Sequence, residues 1–368
     1  MQGEKIIICH IIHSLQVGGA ELLLYDICHE LKSQFSDYYE FIIIATNEAG
    51  PLKQKFEEIG IKVISLNLKG KRFLSSVWKI YKSLLKEKPD IVHTHLLPPD
   101  KYGQIAAFLA GIKKRISTVH NMEPNITRSE KISISIVKRL ALKEIAVSES
   151  VKNHLVQRHG YNSKKIEVIY PTPSHVVTAT ESKKIETPVK IINLANLKEA
   201  KGQLFLIPAA LEMQKISENF SIDIFGESKN EYGREVAKQI YNNKLEEKII
   251  LKGKSINPTS ILPHYNIMIS LSLWEGFGMS IVEGMCAGIP LILSDIPPHR
   301  EILRNVEDFS FVRNSSPIEI AKIFKRLISD KSYYSYVSEK MIERSHDFSL
   351  QKMIAKYNAF YRSVSLNN

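Results

Sequence analysis

Residues 170–188 read YPTPSHVVTATESKKIETP, with three prolines and no regular spacing of apolar positions. Proline has no amide proton for a ladder and breaks a helix interior, so this stretch interrupts whatever pattern flanks it. Upstream, short β-branched runs alternate with longer periodic segments. The runs are KIIICHII (5–12), EFIIIAT (40–46), IKVISL (61–66), DIVHTH (90–95), RISTVH (115–120), EIAVS (144–148) and IEVIY (166–170). Helical periodicity falls at 20–32, 51–59, 73–86 and 101–109. Downstream the pattern restarts with VKIINL (189–194), FSIDIF (220–225), KIILKG (248–253), NIMISLS (266–272) and PLILS (290–294). Near-continuous apolar runs without strict alternation suit strands buried on both faces of a parallel sheet, and strands alternating with helices mean βαβ units. The reading is an α/β chain of two Rossmann-like domains in tandem. The first covers residues 1–172, a linker 173–188, and the second 189–347. A final amphipathic helix, 348–368, is expected to pack back toward the N-terminal domain.

The length of 368 residues agrees, since a single core seldom grows that large. Three cysteines, Cys9, Cys28 and Cys286, have no paired spacing, which argues against a disulfide framework or a zinc site. IIICHII is too short and interrupted for a signal peptide, and no apolar stretch approaches the roughly 18 residues of a membrane span. A cytoplasmic protein is expected. The net charge of +11 is uneven: residues 1–180 hold 25 Lys and Arg against 17 Asp and Glu, residues 181–368 hold 25 against 22. That balance admits nucleic acid, an anionic membrane or a polyanionic substrate and does not choose among them.

In open parallel sheets ligands sit beyond the strands' carboxyl ends, and two such domains facing each other would form a cleft there. HIIHSLQVGGAE (10–21) ends a strand and places Gly18 and Gly19 before a helix starting near Ala20. Glycine permits close backbone approach and a helix start favours an anion. The dinucleotide pattern GxGxxG is absent, which argues against a nicotinamide enzyme. LWEGFGMSIVEGMCAGIP (273–290) follows the buried strand NIMISLS and sets Glu275 and Glu283 eight residues apart. A helix is expected over 279–287, with Ser280, Glu283, Gly284 and Ala287 on one face and small residues leaving room beside Glu283. A carboxylate can accept from two vicinal hydroxyls at once. His93 and His95 end one strand; with no third ligand in reach along the sequence, local hydrogen bonding is expected there and no metal.

EGFGMSIVEGMCAGIP resembles the Glu-x7-Glu signature of retaining glycosyltransferases of family 4, which have the GT-B fold. GGAE, PDIVHTH, STVHN, AVSES, NLKEAKG, IFGES, LKGK and SDIPPHREI follow in the family's order along nearly the whole chain. The resemblance implies a site. Glu275 contacts hydroxyls of the donor sugar and Glu283 holds the ribose hydroxyls. Amides at Phe277, Gly278, Met279 and Ser280, with Gly18 and Gly19, hold the diphosphate. Lys201, at the start of a helix in NLKEAKG, neutralises the leaving diphosphate, and His120 lies beside the reacting sugar. Gly226, Gly253 and Lys254 match segments lining the nucleotide pocket. One position departs from the pattern: where the family carries a companion arginine this chain has Asn196, which loses a charge and the bidentate fork. Either Lys198 supplies the missing charge, or the enzyme is slow, or it takes a different donor. The expected co-substrate is a nucleotide diphosphate sugar, UDP-linked, with no other cofactor and no metal.

The acceptor is expected on the more basic first domain. Between Lys69 and Lys88 there are seven basic residues and one acidic, with Phe73, Val77, Trp78, Tyr81, Leu84 and Leu85 as an apolar helical stripe. The stripe either packs on the sheet or approaches an anionic membrane, and the stretch from Arg128 to Lys143 poses the same choice. Together these suggest a lipid-linked glycan acceptor at the inner face of the cytoplasmic membrane. A GT-B sugar-nucleotide epimerase and a glycoside phosphorylase are the rival readings. A nucleic-acid binder would need aromatics interleaved with basic strands, which are absent here.

Overall fold

A computed structural model of the chain describes residues 5–366 apart from 69, 71, 98, 123–124, 174–177, 255–257, 305 and 307–309, and apart from the side chains at 258, 259 and 314. Lys69 and Lys71 of the basic stretch and residues 174–177 of the expected linker lie outside the described residues. The chain divides into two units, residues 1–174 with 350–368, and residues 175–349.

The first unit is a seven-stranded, wholly parallel sheet built from β1 (Ile6–Ile12), β2 (Tyr39–Ala45), β3 (Lys62–Ser65), β4 (Ile91–His95), β5 (Lys114–Val119), β6 (Lys143–Ala146) and β7 (Ile166–Val168), in the order β3-β2-β1-β4-β5-β6-β7. Both faces of β1 are buried, which is why its sequence does not alternate. Ile8 and Ile12 join a cluster with the helix Gly19–Gln34, while Cys9 and Ile11 join another with Leu84, Ala106 and Ala107. The helix Leu350–Leu366 inserts Met353, Ile354, Tyr357, Phe360, Tyr361 and Val364 into the first of these clusters. Burying those six side chains is worth on the order of 10 kcal/mol before chain entropy is counted.

The second unit is a six-stranded parallel sheet of β8 (Val189–Leu194), β9 (Phe220–Phe225), β10 (Ile249–Gly253), β11 (Ile267–Ser270), β12 (Leu291–Ser294) and β13 (Phe311–Val312), in the order β10-β9-β8-β11-β12-β13. Of the described strands only β13 escapes the sequence reading, because two residues show no period. Part of the expected linker is fastened rather than free: Lys183 Nζ donates to the carbonyls of Pro263 (2.6 Å) and Tyr265 (2.8 Å), and its amide donates to Ser338 Oγ (2.8 Å). The prolines and polar residues lie between the last strand of one sheet and the first of the next, and carry no signal for these tethers.

The helix Phe73–Glu87 corrects the expected stripe. Val77, Ile80 and Leu84 face the core, whereas Leu74 (77 % exposed), Trp78 (54 % exposed) and Leu85 face solvent. Six apolar positions spread too widely around the helix to meet one flat sheet.

Candidate active site

In each sheet the chain runs outward from an inner strand in both directions, so a crevice opens where the order reverses, between β1 and β4 and between β8 and β11. Lys201, Glu275 and Glu283 lie about the β8/β11 crevice and Gly18, Gly19 and His120 about the β1/β4 end, whereas Gly226, Gly253 and Lys254 follow β9 and β10.

In the second unit the loops after β8 and β11 touch. Gly202, at φ +63°, lies so close to Leu271 that a Cβ would meet the Leu271 carbonyl oxygen at 2.1 Å, and Leu273 N donates to Ala200 O (2.8 Å). This contact sets Lys201 against the β11 loop, where its Nζ reaches Glu275 Oε1 at 2.5 Å. Lys201 therefore ends a short 3₁₀ turn, Glu199–Lys201, rather than starting a helix, because the left-handed glycine that follows closes the turn. Ser272 Oγ also donates to Glu275 Oε1 (2.8 Å), and Glu275 is only 8 % exposed.

A second layer holds that loop. Ser294 Oγ donates to Ser272 O (2.5 Å), and buried His299 donates from Nδ1 to Ser294 O (2.8 Å), leaving its Nε2 as the unprotonated, unpartnered nitrogen. Burial is the main force keeping the His299 imidazole down at about 4, against a weaker pull from Glu275. SDIPPHREI by itself assigns Ser294 and His299 no part; their position at and just past the β12 carboxyl end is the available signal.

The helix Met279–Cys286 starts after Gly278 (φ +121°), which has no side chain to cap it; Ile281 N turns back to Gly278 O (3.0 Å), and the amides of Met279 and Ser280 are left without an intrahelical acceptor. Met279 and Ser280 are half-buried, but the Phe277 ring is in the core against Phe348 (5.6 Å), so only its backbone can serve a ligand. Gly284 serves packing instead of the room expected beside Glu283: a Cβ there would meet Met268 Sδ at 2.8 Å, so it lets the helix lie close on β11. The Glu283 carboxyl makes no ion pair or hydrogen bond among the described residues, and burial pushes it up to about 7. A half-protonated carboxyl without a partner is ready to bind hydroxyls.

Asn196 is committed to the scaffold through its Oδ1, which accepts from Glu227 N (2.8 Å), and Gly226 (φ +153°) packs where a Cβ would meet Ala195 O at 2.1 Å. Lys254 pairs with Glu227 at 3.4 Å, and Gly253 (φ +73°) opens to free space. Lys198 lines a groove with Tyr232 and Arg234 of the helix Glu231–Asn242, a place the Lys201–Glu275 pair does not share.

In the first unit the β1 loop is braced by Gly50, whose Cβ would strike Leu15 O at 2.4 Å, and by Asn47 N donating to His13 O (2.8 Å). Gly18 caps the helix Gly19–Gln34 in extended backbone; a Cβ would meet only the movable Glu21 carboxylate there, and nothing within 4 Å at Gly19. No scaffold contact demands glycine at 19, which leaves open backbone for a ligand.

Strand pairing puts His10 opposite His93 and His95 opposite Thr118, all on one face. His10 Nδ1 and His95 Nε2 are 2.9 Å apart, His95 Nδ1 and His120 Nε2 3.2 Å. His93 bonds Tyr361 Oη (2.8 Å) and Thr118 Oγ1 (2.7 Å). Burial keeps all four imidazoles neutral, His10 at about 3, His120 at about 4, and His93 and His95 well below the usual range. A neutral imidazole has one donor and one acceptor nitrogen, so the tautomer of His120 is tied to those of His95 and His10.

His10 is also the third ligand missing from the sequence reading: the nitrogens of His10, His93 and His95 lie within 4.8 Å of one another, the single group among the described residues able to hold a metal. Both ring nitrogens of His93 and of His95 already have partners, and no carboxylate acts on the three, so an ion would break existing bonds and bring uncompensated charge into the core.

Residues 17–172 match the sequence model of Glycosyltransferase Family 4, and residues 178–344 that of Glycosyl transferases group 1. The chain is 26 % identical over 338 residues to the capsular polysaccharide biosynthesis glycosyltransferase CapH of Staphylococcus aureus, covering 89 % of this chain and 92 % of that one. It is 23 % identical over 354 residues to the UDP-Gal:alpha-D-GlcNAc-diphosphoundecaprenol alpha-1,3-galactosyltransferase of Escherichia coli, covering 89 % and 90 %. Its fold is shared with Anabaena HepE in complex with UDP and glucose, with a TM-score of 0.83 at 19 % identity over 97 % of this chain and all of that one. With both sheets, their strand order and these matches in agreement, the chain belongs to the GT-B glycosyltransferases of the family 4 type.

Proposed function

We propose that the chain is a retaining glycosyltransferase that moves a sugar from a UDP-sugar to a hydroxyl of a lipid-linked glycan in bacterial cell-surface polysaccharide synthesis. The observation that carries this reading is the Lys201–Glu275 pair at 2.5 Å in the β8/β11 crevice, with the unpartnered Glu283 carboxyl on the helix that follows. Donor binding would exchange the pair's mutual contact for bonds of Lys201 to the diphosphate and of Glu275 to sugar hydroxyls. Glu283 would take the two ribose hydroxyls. In the reaction the bond from the anomeric carbon to the diphosphate oxygen breaks, the bond to the acceptor oxygen forms on the same face, and the acceptor proton passes to the departing phosphate. Lys201 and the amides of Met279 and Ser280 stabilise the charge developing on that phosphate without a metal. The Escherichia coli galactosyltransferase, with its UDP-Gal donor and diphosphoundecaprenol-linked acceptor, and HepE with its bound UDP support a UDP-sugar donor and a diphosphate-linked acceptor.

Work at a membrane surface is supported by the solvent-facing Leu74, Trp78 and Leu85, flanked by lysines, with Lys82 Nζ lying 5.1 Å from the Trp78 ring centre. No helix among the described residues is long and apolar enough to cross a membrane.

The test is incubation with UDP-glucose, UDP-galactose and UDP-N-acetylglucosamine in the presence of a bacterial membrane extract, with products followed by NMR. Release of UDP and a product keeping the donor's anomeric configuration is expected. An inverted product overturns retention, free sugar phosphate points to phosphorolysis, and an altered sugar still on its nucleotide points to epimerisation.

A further inference from the structure

Beside the carboxyl ends of β1, β4 and β5 lies a largely apolar cavity of about 430 Å³, lined by His13, His120, Ile126, Ile134 and Leu155 among others. Ile126, Ile134, His154 and His159 also line a second hollow of about 610 Å³, so the two share a wall. The second is basic. Lys131 and Lys138 enter it from the helix Arg128–Leu140, Arg158 and two histidines from the helix Glu149–His159, and no Asp or Glu lines it. Among the described residues no carboxylate pairs with Lys131, Lys138 or Arg158; Lys138 instead donates to His159 O (2.8 Å), which fixes its head at the rim. Burial first, and then the nearby cations, depress His154 and His159. Three like charges converging on one concavity repel one another unless an anion sits among them. An arginine fork with two lysine point charges suits the oxygens of a phosphoryl group.

We propose that this basic hollow holds the diphosphate of a lipid-linked acceptor whose first sugar occupies the adjoining cavity beside His120. The inference rests on the glycosyltransferase reading above and names the part of the acceptor that reading leaves without a site. In such an acceptor the diphosphate is bonded directly to the first sugar, so the two groups must lie in adjoining spaces. The arrangement of one apolar cavity against one basic hollow provides them. An anionic phospholipid headgroup offers the same phosphoryl chemistry and is the competing source.

The test uses the full chain and a Lys131→Gln/Arg158→Gln double variant, with Lys138→Gln made separately because Lys138 also caps a helix end. Farnesyl diphosphate is titrated calorimetrically into each, with farnesol as control, and binding to phosphatidylglycerol vesicles is measured in parallel. The double variant is expected to bind farnesyl diphosphate about 10- to 100-fold more weakly than the wild type. Lys201→Ala and vesicle binding by the double variant are expected to match the wild type. Equal affinity for farnesyl diphosphate in the double variant overturns the proposal. So does loss of that affinity in Lys201→Ala, which would put the ligand in the donor site, or a loss confined to vesicles, which would make the hollow a headgroup patch. Transfer assays separate this from the underlying reading: a wild type that transfers no sugar to a diphosphate-linked acceptor strikes the reading itself. Transfer with an acceptor KM unchanged in the double variant strikes only the hollow.

Discussion

The two units share a strand order around their inner strands yet fill the same crevice with opposite chemistry. Between β1 and β4 the first unit places neutral imidazoles, His10, His93 and His95, sealed under Tyr361 and linked to His120. Between β8 and β11 the second places a lysine–carboxylate pair and, one helix turn on, a lone carboxyl. Topology decides where a ligand can sit, and the loops decide whether that place offers fixed charge or neutral donors and acceptors. The charged crevice suits a leaving diphosphate. The neutral one suits sugar hydroxyls, which need direction rather than field.

Acid should break the first crevice. The four buried histidines have folded pKa values below the unfolded 6.5, so as pH falls the unfolded chain takes up protons first; their contribution is complete above 6.5 and is lost below it. The buried Asp100 and Glu144 carboxyls, raised by burial, take up protons in the fold first and offset part of this, so a net loss on the order of 3 kcal/mol by pH 5 is expected for the first unit. The second unit, with one such histidine, His299, among the described residues, should lose much less. Incubation across pH followed by pulsed hydrogen exchange at one fixed pH reads the two units separately; equal losses would remove the contrast.

At the charged crevice, Lys201→Ala should lower kcat/KM about 10³-fold, chiefly through kcat, because the charge it meets is largest in the transition state. Glu283→Gln should lower kcat/KM by about 10²-fold, with the loss appearing in donor binding. The same variant should be more stable than the wild type at pH 8.5 by on the order of 2 kcal/mol. A carboxyl raised from 4.5 to about 7 costs stability as pH climbs through that window, and the two proteins should converge below pH 4.5. Thermal melts across pH decide this. Lys198→Ala should stay within about threefold of the wild type in kcat/KM, less than 1 kcal/mol, since Lys198 lines a different groove from Lys201. A collapse comparable to Lys201→Ala would show that Lys198 does replace the family's arginine.

Strands were the most legible part of the sequence, because residues buried on both faces leave unbroken apolar runs such as IIICHII and FIIIA. The place of two candidate loops in the fold was legible for a related reason: EGFG and NLKEAKG each follow a strand, and glycine marks the turn. What stayed hidden depends on contacts between segments distant in sequence. Gly202 against Leu271, which turns an expected helix start into a 3₁₀ turn, cannot be inferred from NLKEAKG alone. Nor can Gly284 against Met268, or the arrival of His10 beside His93 and His95, which needs the pairing of β1 with β4. The Asp100 carboxyl, raised to about 6 by burial and held by Ser117 Oγ (2.8 Å), was equally invisible.

The return of residues 350–366 to the first unit has a consequence for biosynthesis. A ribosome releases residues 1–174 long before it makes the helix that covers Tyr39, Phe41 and His93, whereas residues 175–349 emerge as one uninterrupted block. The later-made half can therefore complete its core while the earlier-made half still waits with an apolar face uncovered. Stop codons or proteolysis within the last twenty or so residues would spare residues 175–349 and leave the first unit exposed to aggregation.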